Sequence, residues 1–235
     1  MTMLGHIRSL RRYPVKSMLG QSLPALAIDR RGAAGDRLFA LRDTDGKLGS
    51  GKTTRRFRRI DGMFGFTARL EGAVPVIRFP DSRVLRGDDP GIDAALSAAV
   101  GIAVTLARED RVPHVDQSPL HLLTTASLAW LKARLPESAV DVRRFRPNLL
   151  IETAGDALVE QSWVGRVLAI GADLRIKVTH PAERCVMVTN PQEELRQDVA
   201  ILRTLAQLNE ECFGVYAEVV APGTIRCGDP VSLSD

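Results

Sequence analysis

Aromatic residues make up only 5% of this 235-residue chain. With so few stacking surfaces, and no RNP, zinc-finger or helix-turn-helix pattern, the composition argues against a nucleic-acid partner. Cysteine is scarcer still. The three residues Cys185, Cys212 and Cys227 are odd in number and form no CxxC pair, so they support neither a disulfide framework nor a structural zinc site. A reducing compartment fits best. No stretch approaches the roughly 20 apolar residues that a spanning helix requires. The first residues, Met1 to Lys16, are broken by His6, Arg8, Arg11 and Arg12 and lack the continuous apolar segment of a secretory signal or membrane anchor. A cytoplasmic protein with no membrane partner is expected. There is no internal repeat and no low-complexity linker.

What is present is an ordinary globular composition. At 45% hydrophobic, the chain is long enough for one large or two small domains, each burying a core. The net charge of +4 is modest. Its densest basic run, Arg55-Arg56-Phe57-Arg58-Arg59, reads either as a solvated face or as an anion-binding edge.

From Ser9 to about Pro80, short extended segments alternate with turn residues. Strands are expected at Leu10–Val15, Leu23–Ile28, Arg37–Arg42, Phe64–Leu70 and Pro75–Phe79, a spacing that suits a small β-rich barrel or sandwich. Asp88-Asp89-Pro90-Gly91 then opens a helix with Ile92, Leu96 and Val100 on one face, and Ile102–Leu106 returns to strand. The polar stretch Arg108–Ser118 connects two units, so domains are expected at residues 1–110 and 111–235. In the second, Thr124 or Thr125 caps a helix bearing Leu128, Leu131 and Leu135. Strands follow at Pro147–Glu152, Val167–Ile170, Leu174–Thr179 and Val186–Thr189. A helix starts at Asp198 with Val199, Leu202, Leu205 and Leu208 inward, and strands Val215–Val220 and Gly223–Leu233 close the chain. The fold class is a mixed, β-rich α+β protein.

Gly46-Lys47-Leu48-Gly49-Ser50-Gly51-Lys52-Thr53 matches the phosphate-binding pattern G-x-x-x-x-G-K-[ST]. The context that gives this pattern its chemistry is missing. A phosphate loop needs a long helix directly after it, whose N-terminus faces the anion. Here Asp43-Thr44-Asp45-Gly46 is a hairpin signal, and four arginines follow with only Phe57 and Ile60 among them. An ATPase or GTPase is not expected, though the same residues remain suited to an anion.

Chemistry concentrates elsewhere. In His180-Pro181-Ala182-Glu183-Arg184-Cys185, the cation beside the thiol favours thiolate, the form that attacks electrophiles or binds soft metals. The bland alternative is an inert, buried cysteine. Lys16-Ser17, Ser50 and Lys52, and Arg146 with Asn148 lie where strands meet loops. Lysine and arginine suit phosphate, and asparagine offers donor and acceptor to a heterocycle edge. Singly, each also reads as ordinary surface chemistry.

Tyr13-Pro14-Val15-Lys16-Ser17, Phe145-Arg146-Pro147-Asn148, Ser162-Trp163, Arg184-Cys185 and Phe213-Gly214, followed by Pro222-Gly223-Thr224-Ile225 and Gly228-Asp229-Pro230-Val231, occur in the order seen in MOSC proteins. The chain resembles that family, named for the C-terminal domain of molybdenum cofactor sulfurase, over nearly its whole length. The resemblance implies a β-barrel-like N-terminal domain followed by a MOSC β-barrel domain with flanking helices. It further implies a molybdenum–pterin cofactor, molybdopterin, with Cys185 as metal ligand and catalytic residue. Lys16, Ser17, Arg146, Asn148 and Arg184 become cofactor contacts, and Ser50 and Lys52 stand where the family has another cofactor-binding turn. Amidoxime-reducing members imply an oxidoreductase acting on N-hydroxylated small molecules such as amidoximes or hydroxylamines. With no cysteine set for an iron–sulfur cluster in this chain, electrons are expected from a separate donor protein. The alternative is a non-redox carrier of the cofactor, or of sulfur as a Cys185 persulfide. Relatives commonly place Thr three residues after the cysteine, where this chain has Val188 followed by Thr189.

Overall fold

The computed structural model describes residues 2–234. Four short strands, Phe39–Asp43, Leu48–Ser50, Phe57–Arg59 and Val104–Arg108, form one sheet of a unit made of Arg12–Gln21 and Gly35–Asp116. Three more, Thr67–Glu71, Val74–Arg78 and Val84–Arg86, form an antiparallel meander. The turn after Phe39–Asp43 is closed by Asp43, whose Oδ1 accepts the amides of Asp45 at 3.0 Å and Lys47 at 2.8 Å, with Gly46 left-handed at φ 79°. The chain after Thr53 forms a turn and the strand Phe57–Arg59, not a helix. The glycine loop is therefore half of a β-hairpin, as its sequence context implied. Helix α1, Ile92–Val100, buries Ile92 and Leu96 and ends at Gly101, left-handed at φ 76°. These residues join Val15, Met18, Leu41, Phe66, Ile77 and Phe79 in one core, where Phe66 and Phe79 meet edge to face at 5.3 Å.

The second unit comprises Met1–Arg11, Ser22–Ala34 and Gln117–Asp235. Strands Leu149–Glu152, Leu120–Thr124, Cys212–Ala221, Leu174–Glu183, Val167–Ile170, Pro230–Leu233 and Thr2–Arg12 are hydrogen-bonded in that order, and the last pairs back to the first. The result is a closed seven-stranded barrel. Closure leaves no unpaired edge. Neighbours are antiparallel except Leu120–Thr124 with Leu149–Glu152, which run parallel with Leu122 opposite Leu149.

Why these strands read as unbroken apolar runs follows from their two faces. Leu122, Leu149, Ile151 and Val215 point into the barrel core, whereas Leu123, Leu150 and Phe213 point the other way. There they meet helices α2 (Thr125–Arg134), α3 (Val142–Phe145) and α4 (Val199–Asn209) through Leu131, Phe145, Ile201 and Leu205. A strand covered on both sides has no solvent face to alternate towards. Each such side chain contributes about 2 kcal/mol by leaving water. Thr124 caps α2, accepting from the amide of Ser127, and Asp198 caps α4.

Several expected boundaries shift. Val186–Thr189 is a 3-10 turn, not a strand: the Val188 amide donates to the Cys185 carbonyl, the Thr189 hydroxyl closes on the Val186 carbonyl at 2.7 Å, and Val188 is turned into the helical core. In α4 the buried positions are Ile201 and Leu205, while Val199 and Leu208 are exposed, because the face that carries Ile201 and Leu205 is the one packed with Phe213. The closing stretch divides into Gly223–Arg226 and Pro230–Leu233 around left-handed Gly228. The passage into the second unit falls between Asp116 and Gln117. However, the N-terminal segment contributes to both units, since strand Thr2–Arg12 completes the barrel and Ala25–Asp29 pairs with Gly223–Arg226.

Glu160, fully buried in the 3-10 turn Val159–Trp163, braces the start of α2: its Oε2 accepts from Thr124 Oγ1 at 2.7 Å and Ser127 Oγ at 2.6 Å. Burial raises its carboxyl above the ordinary range, against the pull of those two hydroxyls. The folded state therefore holds a proton that the unfolded state releases, and this contribution to stability is complete below the unfolded pKa and lost as pH rises through the folded one. Glu160→Gln keeps an acceptor without the ionisation. Its stability relative to wild type should grow with pH above about 4.3, by up to about 1.4 kcal/mol per pH unit inside the window. Urea denaturation from pH 4 to 8 measures this, and a pH-independent difference would refute it.

Candidate functional site

In the first unit, Tyr13-Pro14-Val15 leads into a turn whose Met18 amide returns to the Val15 carbonyl at 3.2 Å. Ser17 occupies the left-handed region at φ 65°, a conformation that costs a non-glycine residue energy and is held here by its surroundings. Its hydroxyl donates to the Gly49 carbonyl at 3.1 Å, next to Ser50, which is buried in Leu48–Ser50. Lys16 is buried, its ammonium donating to the His114 carbonyl at 3.0 Å and to Asp116 Oδ1 at 2.7 Å. Burial pushes its pKa down, with Asp116 resisting. The Asp116 carboxyl is itself pushed up by burial but held below the ordinary range, chiefly by Lys16. The ring of Phe57 gathers Lys16 Nζ at 4.8 Å, Lys52 Nζ at 5.8 Å and the Arg56 guanidinium at 5.2 Å. Lys16, Ser17, Ser50 and Lys52 are thus brought into one neighbourhood.

In the second unit, Arg146 ends α3 in the left-handed region at φ 55° and is buried, between Phe145 and Pro147. Asn148 Oδ1 accepts the His121 amide at 3.1 Å, and its Nδ2 donates to the Arg11 carbonyl at 3.3 Å. One N–H and one lone pair of this amide remain for another partner. Arg184 donates through Nη2 to the Phe145 carbonyl at 2.8 Å, which ties the Arg184-Cys185 segment to Phe145-Arg146-Pro147-Asn148. Its Nε is buried with no partner. Cys185 is a free, half-buried thiol that precedes the 3-10 turn. Thr189 does not stand in for the hydroxyl missing at Val188, because it donates within its own turn.

Asp198 caps α4, accepting from the Ala200 amide at 3.0 Å, and His180 lies half-buried with its ring 5.3 Å from that of Tyr216. The Cys212 thiol, pushed up by burial and then by Glu183 and Glu210, donates to the Glu210 carbonyl at 3.4 Å. Cys227 is exposed. Among the described residues no group of three or more His, Cys, Asp and Glu side chains could hold a metal.

Sequence reasoning missed Arg144. It is fully buried, and its guanidinium donates to the carbonyls of Ala139 at 3.0 Å, Val188 at 3.5 Å, Asn190 at 3.3 Å and Arg196 at 2.7 Å. Burial lowers its pKa, opposed by Asp198 and Asp141. Its neighbour Arg143 instead binds Asp141, Glu193 and Glu194 near the surface, and these raise its pKa. Nothing in the letters Arg143-Arg144 tells one from the other. Asp116 was missed too, in a stretch read as a connection.

A model of the MOSC N-terminal beta barrel domain matches residues 4–94, and one of the MOSC domain matches residues 109–232. The chain is similar to mitochondrial amidoxime-reducing component 1 of Homo sapiens, 34% identical over 145 residues that cover 56% of this chain and 42% of that protein. Less than half of that relative's length is therefore aligned. Mitochondrial amidoxime reducing component 2 of Bos taurus is 25% identical over 283 residues, covering 97% of this chain and 83% of that protein. The crystal structure of the YUAD protein from Bacillus subtilis shares the fold, with a TM-score of 0.50 and 11% identity over 98% of this chain and 96% of that one.

Arg144→Met should cost about 3 kcal/mol, because it removes a buried charged donor from four carbonyls at once, the buried one of Val188 among them. It should also speed alkylation of Cys185 in the native state by releasing the turn behind it, while exposed Cys227 reacts at an unchanged rate. Chemical denaturation and mass-resolved alkylation measure both, and a variant as stable as wild type would overturn this reading.

Proposed function

Since the chain belongs to the MOSC family and carries both its N-terminal beta barrel domain and its MOSC domain, we propose that it is a molybdenum-cofactor-dependent reductase of N-hydroxylated small molecules, with Cys185 as the metal ligand. Family membership and the similarity to proteins named amidoxime-reducing components support a molybdenum-cofactor-related function. The observation that carries the finer reading is the 2.8 Å bond from Arg184 to the Phe145 carbonyl. It holds a free thiol and buried Arg146 on two joined segments of one unit, a soft metal ligand beside cations fit for a phosphate. The buried, unpartnered Nε of Arg184 is a donor suited to the same anionic group.

Bound, the molybdenum cofactor supplies the two-electron chemistry that reduces an N–OH group. The chain's own residues bind and orient. Cys185 ligates through its thiolate, and the Arg144-braced turn keeps that sulfur in place. Arg146, Arg184 and Asn148 would offer donors to the cofactor's phosphate and ring, and the family likeness assigns Lys16, Ser17, Ser50 and Lys52 to cofactor binding as well. Lys16 suits this role because its charge is already kept in a buried site by Asp116. In this reading a separate protein in the cytoplasm delivers the electrons.

Protein purified from a cofactor-producing host should contain near-stoichiometric molybdenum and pterin by elemental analysis and pterin fluorescence. Cys185→Ser should lose reduction of an amidoxime by a chemical electron donor at least about 100-fold while keeping pterin. Absence of both metal and pterin from cofactor-replete wild-type protein would overturn the proposal. Transfer of persulfide sulfur without molybdenum would replace it with the carrier function.

A further inference from the structure

A cavity of about 430 Å³ in the first unit is lined by six cations, Arg42, Lys47, Arg55, Arg56, Arg108 and Arg111. None of these six has an ion-pair partner among the described residues. Elsewhere in this unit pairing is the habit: Arg37, Arg58, Arg59, Arg69, Arg83 and Arg86 each meet a carboxylate. Two carboxylates border the cavity, but Asp45 binds Arg58, which leaves Asp110 alone to balance the wall. Arg56 is aimed by the carbonyl of Val115 at 3.2 Å and by that of Pro113. Lys47 comes from the Gly46 turn, so part of the phosphate-loop-like segment faces this cavity even though it is no phosphate loop.

Uncompensated like charges around a concavity repel one another and raise the local potential, and an anion inside relieves both effects. We propose that this cavity binds a small molecule through a diphosphate or longer phosphate chain. Several charges concentrated in a volume this small are the property of linked phosphates, and arginine forks match their oxygens in pairs. The volume lies within the range of small-molecule sites. The lining holds no Phe, Tyr or Trp ring and only Leu48 and Val112 as large apolar side chains, so recognition rests on the phosphates and not on a stacked base. This inference does not depend on the function assigned to Cys185.

Titration calorimetry of the full chain with inorganic pyrophosphate and with ADP tests it. Both should bind saturably with one site per chain and affinities within about threefold of each other, and added salt should weaken them. Arg108 and Arg111 are exposed, so Arg108→Ala and Arg111→Ala should fold normally and each weaken binding about tenfold. Arg83→Ala, whose cation already pairs with Asp81, should leave it unchanged. No saturable binding of either ligand, or equal binding by an Arg108→Ala/Arg111→Ala double variant, would overturn the proposal.

Discussion

Beneath the turn that follows Cys185 lies a buried guanidinium that donates to backbone carbonyls, with Asp198 and Asp141 acting on it only through their charge. A charge so placed costs several kcal/mol unless its donors are satisfied. Arg144 meets that requirement through the carbonyls of Ala139, Val188, Asn190 and Arg196. These carbonyls lie outside the barrel ladders, so the guanidinium ties together stretches that no strand pairing holds. Close to this knot in the chain are the Cys185 thiol, in the residue before the turn that carries Val188, the junction of Arg184 with Phe145, and Arg146 at the end of α3.

The barrel provides the fixed frame for that knot. Its strands are buried on both faces, one row inside the barrel and the next under the helices, so Phe145, Leu150, Val188 and Phe213 belong to one layer. Gly214 marks how close the packing is: it is left-handed at φ 81°, and a Cβ there would lie 2.5 Å from the Leu122 carbonyl oxygen. The helices add a capping network, from Thr124 through Ser127 to Glu160, a buried carboxyl whose pKa desolvation raises against the pull of the two hydroxyls.

Three kinds of cation can be told apart by their surroundings. Some pair with carboxylates at the surface, where each pair is worth little. A few are buried and held by carbonyls or a carboxylate, as Arg144 and Lys16 are. Six others surround a cavity with no ion-pair partner among the described residues. Composition merges all of them into a net charge of +4.

Much of the architecture was legible in the letters. Short strands between turn residues, the helix opening at Asp198, the apolar face of α1 and the hairpin that cancels the phosphate-loop match all follow from local rules of capping, turn chemistry and period. The ordered motifs around Lys16, Arg146 and Cys185 identified the family from residue identity alone. Tertiary structure decided what local rules could not. Val186–Thr189 has the composition of a strand, but Val188 is needed in the helical core and a turn is what delivers it. Arg143 and Arg144 are the same letter, and only the fold buries one and solvates the other. Strand Thr2–Arg12 joins the barrel because its partners, Leu149–Glu152 and Pro230–Leu233, are remote in sequence. Periodicity within a segment determines which elements form. Which face, which charge and which distant strand each element meets is determined by packing, and packing is a property of residues that the sequence places far apart.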